Sequence, residues 1–79
     1  MDAYEVVRHA ATRGGVSLAG IGRAMGKPGN YVSNGAARGS TPKADTLAAM
    51  LAPCGYVLAA MPRDDAPASA LVIDPPARD

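Results

Sequence analysis

The chain has 79 residues and a formal net charge of +1, is 48% hydrophobic, and contains three tyrosines but neither phenylalanine nor tryptophan. A chain of this length makes one small domain with little stability to spare, and a core assembled from Ala, Val, Leu, Ile and Met favours short, closely packed helices. No apolar run approaches the roughly 18 to 20 residues that span a bilayer, and the single cysteine, Cys54, excludes an internal disulfide or a cysteine metal cluster.

The opening residues MDAYEVVRHA carry acids where a secretion signal has bases followed by an apolar stretch, so a cytoplasmic protein is expected. Asp2 precedes Tyr4, Val7 and Ala11, whose spacing puts apolar groups on one face of a helix from about Ala3 to Thr12. Arg13-Gly14-Gly15 stops it, because glycine takes the left-handed conformation that closes a helix end. Ser17 then serves as N-cap to a second helix, with Leu18, Ile21 and Met25 at i, i+3 and i+7 and an end at Gly26. Lys27-Pro28-Gly29 makes a sharp turn, since proline lacks a backbone donor and restricts the residue before it.

The segment from about Gly29 to Arg38 reads as a third helix of unusual character. Val32 is its only large aliphatic residue, while Asn30, Tyr31, Ser33 and Asn34 supply polar groups. So little apolar surface means either a helix that contacts something other than the core or a loop, and Gly35 and Gly39 keep the loop reading open. After the break Gly39-Ser40-Thr41-Pro42, a fourth helix from Lys43 to Leu51 places Ala44, Leu47, Ala48 and Leu51 on one face, and Pro53 ends it. Cys54 is expected as a small buried hydrophobe. Residues 56–61 and 70–73 are apolar runs of strand length separated by the polar loop PRDDAPAS, which predicts a β-hairpin. Both alternating faces of the first run are apolar, so one would stay exposed unless a second subunit covered it. The division is therefore a helical domain over residues 1–53, a hairpin over 54–75 as dimerisation element, and a frayed tail over 76–79.

The near-neutral net charge conceals a segregation. Arg13, Arg23, Lys27, Arg38 and Lys43 span a stretch without a single acid, whereas from Leu51 onward Arg63 and Arg78 stand against Asp64, Asp65, Asp74 and Asp79. An acid-free basic segment is a candidate footprint for a polyanion, although charge runs are also found as plain solvated faces.

Two short helices joined by a tight turn, the second polar and flanked by cations, match the helix-turn-helix device. Ile21, Met25 and Val32 supply the apolar clamp between the two. Asn30, Ser33 and Asn34 share one helical face, where asparagine pairs bidentately with adenine and serine serves several bases or a phosphate. Arg23, Lys27, Arg38 and Lys43 flank that face as phosphate contacts, which fix position but carry no sequence information. The competing reading makes Asn30 and Asn34 ordinary surface or capping residues. Tyr31 either stacks on a sugar or a thymine methyl, as a fourth reading residue, or packs against the fourth helix.

Residues 15–47, GVSLAGIGRAMGKPGNYVSNGAARGSTPKADTL, resemble the lambda-repressor/Cro-like helix-turn-helix family of the xenobiotic-response-element type without a gap. The family's Leu-Ala pair in helix two reads Ile21-Gly22 here. Its hydrophobe-Gly ending reads Met25-Gly26, the central aliphatic of the recognition helix is Val32, and the Pro-x-x-x-Thr-Leu entry to the next helix is Pro42 with Thr46-Leu47. Three positions depart from the pattern: the glutamine that often opens helix two is Leu18, the apolar residue after the turn glycine is Lys27, and the inner aliphatic of helix three is Gly35. The resemblance covers about residues 3 to 53. It implies a mainly α, four-helix lambda-repressor-like domain that binds double-stranded DNA as a homodimer, a phage or bacterial transcriptional regulator of the repressor kind. A C-terminal strand joins subunits in Cro-type repressors, which implies that Tyr56, Leu58 and Val72 of the hairpin form the dimer interface.

Catalysis and cofactor binding find no support in the residues. His9 is the only histidine, and its one titratable neighbour at helical spacing is Glu5, a combination met far more often as a surface pair than as an acid/base dyad. Metal ligands are too few, Gly14-Gly15 lacks the spacing of a phosphate loop, and no small-molecule sensing domain accompanies the helices. The alternative class is a protein-interaction module, such as an antitoxin or a phage-encoded inhibitor built on the same scaffold.

Overall fold

A computed structural model describes residues 1–75, so the expected tail 76–79 lies outside the described residues. The protein is mainly α-helical, with α1 (Ala3–Gly14), α2 (Leu18–Ala24), α3 (Tyr31–Ala37) and α4 (Ala44–Leu51). Each start and stop has a local cause. Asp2 caps α1 in a reciprocal capping box: its carboxylate accepts from the Glu5 N–H at 2.9 Å, and the Glu5 side chain accepts from the Asp2 N–H at 3.1 Å. The helix outruns its expected end by two residues, closing only when Gly15 takes φ +68°. Ser17 caps α2 by accepting from the Gly20 N–H at 2.9 Å.

The hydrogen bond from the Glu5 N–H is the main reason the Asp2 carboxyl is held below the usual carboxylate range. A lowered value in the folded state means the cap's contribution is complete at neutral pH and is lost as the pH falls below about 4, through that lowered value. Asp2→Asn, which keeps a capping oxygen that does not titrate in this range, is expected to remove this part of the acid destabilisation. Parallel melting curves of wild type and D2N from neutral to acid pH check it: curves that stay parallel to the acid end would contradict the assignment.

The core is formed by Val6, Val7, Ala10 and Ala11 of α1, Ile21 of α2, Val32 of α3, and Leu47, Met50, Leu51 and Cys54 at the end of the helical region, with no polar or charged side chain buried among the described residues. The inner face of α4 differs from the expected one. Ala44 and Ala48 are exposed, and Met50 is buried instead. The α-helix does end at Leu51, but the chain continues the curl as a 3₁₀ turn, Ala52–Cys54, which accommodates Pro53 in its first turn and stops at Gly55 with φ +78°. Leu47, Met50, Leu51 and Cys54 thereby form one continuous inward stripe at i, i+3, i+4 and i+7. Cys54 is buried as expected; its thiol lies 3.7 Å from the Met50 carbonyl, and burial pushes its pKa up, which keeps it protonated and unreactive at neutral pH.

Two glycines set how closely elements meet. A Cβ on Gly14 would fall 2.5 Å from the Cys54 carbonyl oxygen, so the end of α1 rests directly on the 3₁₀ turn. The buried Gly35 of α3 faces the Tyr4 ring, whose hydroxyl occupies the space a side chain would need. Tyr4 of α1 thus fills the place left by the missing inner aliphatic of α3, and the loop reading of this segment gives way to a helix closed from underneath by a neighbour.

The expected C-terminal β-hairpin is absent: the described residues contain no strand. Residues 56–61 and 70–73 make no backbone hydrogen bonds with each other. The bonds in this region are local: the Tyr56 N–H to the Leu51 carbonyl, the Asp65 N–H to Pro62, the Ala66 N–H to Arg63 and the Ala70 N–H to Pro67. Strand register is set by alternation of apolar and polar positions, and a run that is apolar on both faces specifies none. Ala59 and Ala60 add little strand preference, and Pro62 and Pro67 remove donors where a hairpin would close. The chain instead makes a 3₁₀ turn at Arg63–Asp65 and returns beside α1. There the Arg13 guanidinium donates to the Ser69 carbonyl at 3.3 Å, the Met1 ammonium lies 3.5 Å from the Asp74 carboxylate, and Leu71 packs on the core.

Candidate nucleic-acid interface

The turn between α2 and α3 positions everything around it. Gly26, at φ +71°, reverses the chain. The Gly26 N–H donates to the Arg23 carbonyl at 3.0 Å and the Lys27 N–H to the Gly22 carbonyl at 2.8 Å, which spends the free carbonyls at the end of α2. Gly22 is buried where the turn folds back: a Cβ there would sit 2.5 Å from the Pro28 carbonyl oxygen and 3.5 Å from Tyr31 Cβ. The Tyr31 N–H donates to that same Pro28 carbonyl at 3.1 Å and starts α3. The absence of a side chain at Gly22 therefore sets the separation of the two helices.

With Val32 and Gly35 turned inward, the helical repeat leaves Asn30, Ser33 and Asn34 outward, and all three are exposed. Asn30 occupies the N-cap position of α3 but makes no capping hydrogen bond with its side chain, and its carbonyl accepts from the Asn34 N–H at 2.9 Å, one turn on. None of the three side chains hydrogen-bonds within the described residues. Their amides and hydroxyl are available to a partner, and the capping alternative for Asn30 falls away.

The flanking cations are exposed as well. Arg23 lies in the last turn of α2 and Lys27 in the connecting turn, both ahead of α3, whereas Arg38 caps its C-terminal end and Lys43 caps the start of α4. None of these four pairs with an acid among the described residues. Tyr31 is half-buried, and the Lys27 ammonium lies 5.7 Å from its ring centroid, a cation–π contact. This pair was not foreseen from the residues, although a lysine and a tyrosine four apart are its signal. Gly22 was visible only as the small member of the Ile21-Gly22 pair, without its contact to Pro28.

The residues expected at a subunit interface divide. Tyr56 is half-buried and packs against the core of its own chain, whereas Leu58 and Val72 are exposed, together with Val57, Met61 and Ile73. Apart from Met1, every exposed large hydrophobic side chain belongs to this C-terminal segment, which also carries Asp64, Asp65 and Asp74. The exposed apolar surface and the acid-free cations thus belong to different parts of the chain. Compared with protein-family models, with curated proteins and with solved structures, the chain matches none.

Proposed function

We propose that this protein binds double-stranded DNA through the outward face of α3, as a small dimeric transcriptional regulator of the lambda-repressor/Cro-like kind. One observation carries the reading: Asn30, Ser33 and Asn34, three polar side chains without a hydrogen-bond partner among the described residues, stand outward on a short helix with exposed cations at both ends that pair with no acid among those residues. A short helix with only Val32 and Gly35 fully buried contributes little to the core, so its sequence is free to serve a partner. In this reading Asn30, Ser33 and Asn34 contact base edges in the major groove, and Arg23, Lys27, Arg38 and Lys43 contact phosphates.

A second copy completes the arrangement by covering Leu58, Val72 and their exposed apolar neighbours, and two-fold symmetry places two α3 helices on half-sites about one helical turn apart. The same apolar residues favour the second reading, an interaction module for a different protein, and selection from random duplex DNA combined with solution mass separates the two. Enrichment of a pseudo-palindromic motif by a dimer supports DNA reading; no enrichment, with capture of a protein partner, supports the module. Within the DNA reading, Asn34→Ala is expected to relax the preference at one position of each half-site by about 1 to 3 kcal/mol without changing the other positions. Repeating the selection with the variant checks it.

A further inference from the structure

We propose that Tyr31 is a positioning residue for Lys27: its ring holds the lysine ammonium as a fixed anchor for a backbone phosphate at the entrance to α3, and it reads no base. The inference rests on the DNA-binding reading above and gives Tyr31 a role that neither base stacking nor packing against α4 describes. Lys27 sits in a turn, where a lysine would ordinarily sample many rotamers and lose that freedom on each contact. Here both ends of the side chain are held. Its backbone N–H is tied to the Gly22 carbonyl at 2.8 Å, and its ammonium lies over the Tyr31 ring at 5.7 Å. The ring is itself held in place, because Tyr31 is half-buried, packs against the core, and has its Cβ 3.5 Å from where a Gly22 side chain would begin. The ring attracts the ammonium through its quadrupole without neutralising it, so the positive charge stays available to a phosphate. An acid in the place of the ring would hold the lysine and cancel it.

Lys27 and Lys43 are the only lysines in the chain, which makes the pair easy to observe. In the free protein the Lys27 Hε resonances are expected upfield of those of Lys43 from the ring current, unchanged in Tyr31→Phe and collapsed onto the Lys43 position in Tyr31→Leu. In duplex binding, Y31L is expected to weaken affinity about two- to five-fold on all sequences alike, a part of the rotamer freedom that a released lysine loses on a phosphate, while Y31F binds as wild type. In a Lys27→Ala background, Y31L and Y31F should bind equally. Thermal melts of each variant report any packing loss separately, and that loss does not depend on Lys27. Coincident lysine resonances, a Y31L penalty that persists in full without Lys27, or a changed base preference in Y31L would each overturn the proposal. A wild type that binds no duplex overturns the DNA reading and the anchor with it; a wild type that binds with Lys27 and Tyr31 uncoupled overturns the anchor alone.

Discussion

Gly22→Val is expected to lower the melting temperature by about 10 to 20 °C and to abolish binding to any duplex that the wild type recognises. A Cβ at this position meets the Pro28 carbonyl oxygen at 2.5 Å, and that atom is backbone in a turn already closed by the Lys27 N–H to Gly22 and Tyr31 N–H to Pro28 hydrogen bonds. Relief requires α3 to move away from α2, which uncovers Ile21 and Val32, the two residues that clamp them and that are 0% and 1% exposed. Overpacking of this kind costs about 2 to 3 kcal/mol, a large share of the roughly 4 to 12 kcal/mol available to a chain of this length. Calorimetry of the variant measures the stability, and gel retardation measures the binding. A variant that melts like wild type would show that the turn does not fold back on Gly22.

The contrast with Gly35 sharpens the expectation. There the obstacle to a side chain is the Tyr4 hydroxyl, the far end of a half-buried side chain that can rotate outward. An alanine at Gly35 gains helix propensity of up to about 1 kcal/mol against that displacement, whereas at Gly22 the atom in the way is backbone and cannot rotate aside, so a side chain is tolerated better at Gly35. The difference lies in what each glycine touches.

That distinction also marks how far the residues alone led. The four helices were legible because apolar spacing near 3.6 and two glycines that adopt positive φ, Gly15 and Gly26, act within a few residues of each other. Outward placement of Asn30, Ser33 and Asn34 followed from the same periodicity. What escaped depended on contacts between distant positions. Gly35 read as a weakness in α3, since nothing local announces that Tyr4, thirty-one positions earlier, fills the space. The burial of Met50 rather than Ala48 follows from the 3₁₀ extension through Pro53, which turns the inner stripe toward Cys54. The hairpin failed for a related reason. Hydrophobicity and strand length were present in residues 56–61 and 70–73, but no alternation fixed a register, and single side chains, Tyr56 and Leu71, found the core without pairing.

Neutralising the four cations together, Arg23→Ala, Lys27→Ala, Arg38→Ala and Lys43→Ala, is expected to produce the largest loss of affinity that leaves the fold intact. If each contacts one phosphate, a bound subunit contributes about −3.6 to the slope of log affinity against log salt, and a dimer about −7. Between 50 and 200 mM salt the wild-type dimer should then lose about 10⁴-fold in affinity, and the quadruple variant should show almost no salt dependence because it releases few counterions. The four side chains are exposed and pair with no acid among the described residues, so their removal uncovers no buried partner and should leave the fold intact. Stability and affinity therefore separate in this variant, opposite to Gly22→Val, where both fall together. Single substitutions divide the slope further: each should reduce its magnitude by about 0.9 per subunit, and a cation whose removal leaves the slope unchanged touches no phosphate. A wild-type slope near zero, with affinity carried instead by the apolar C-terminal segment, would assign the basic stretch to solvent and the function to a protein partner.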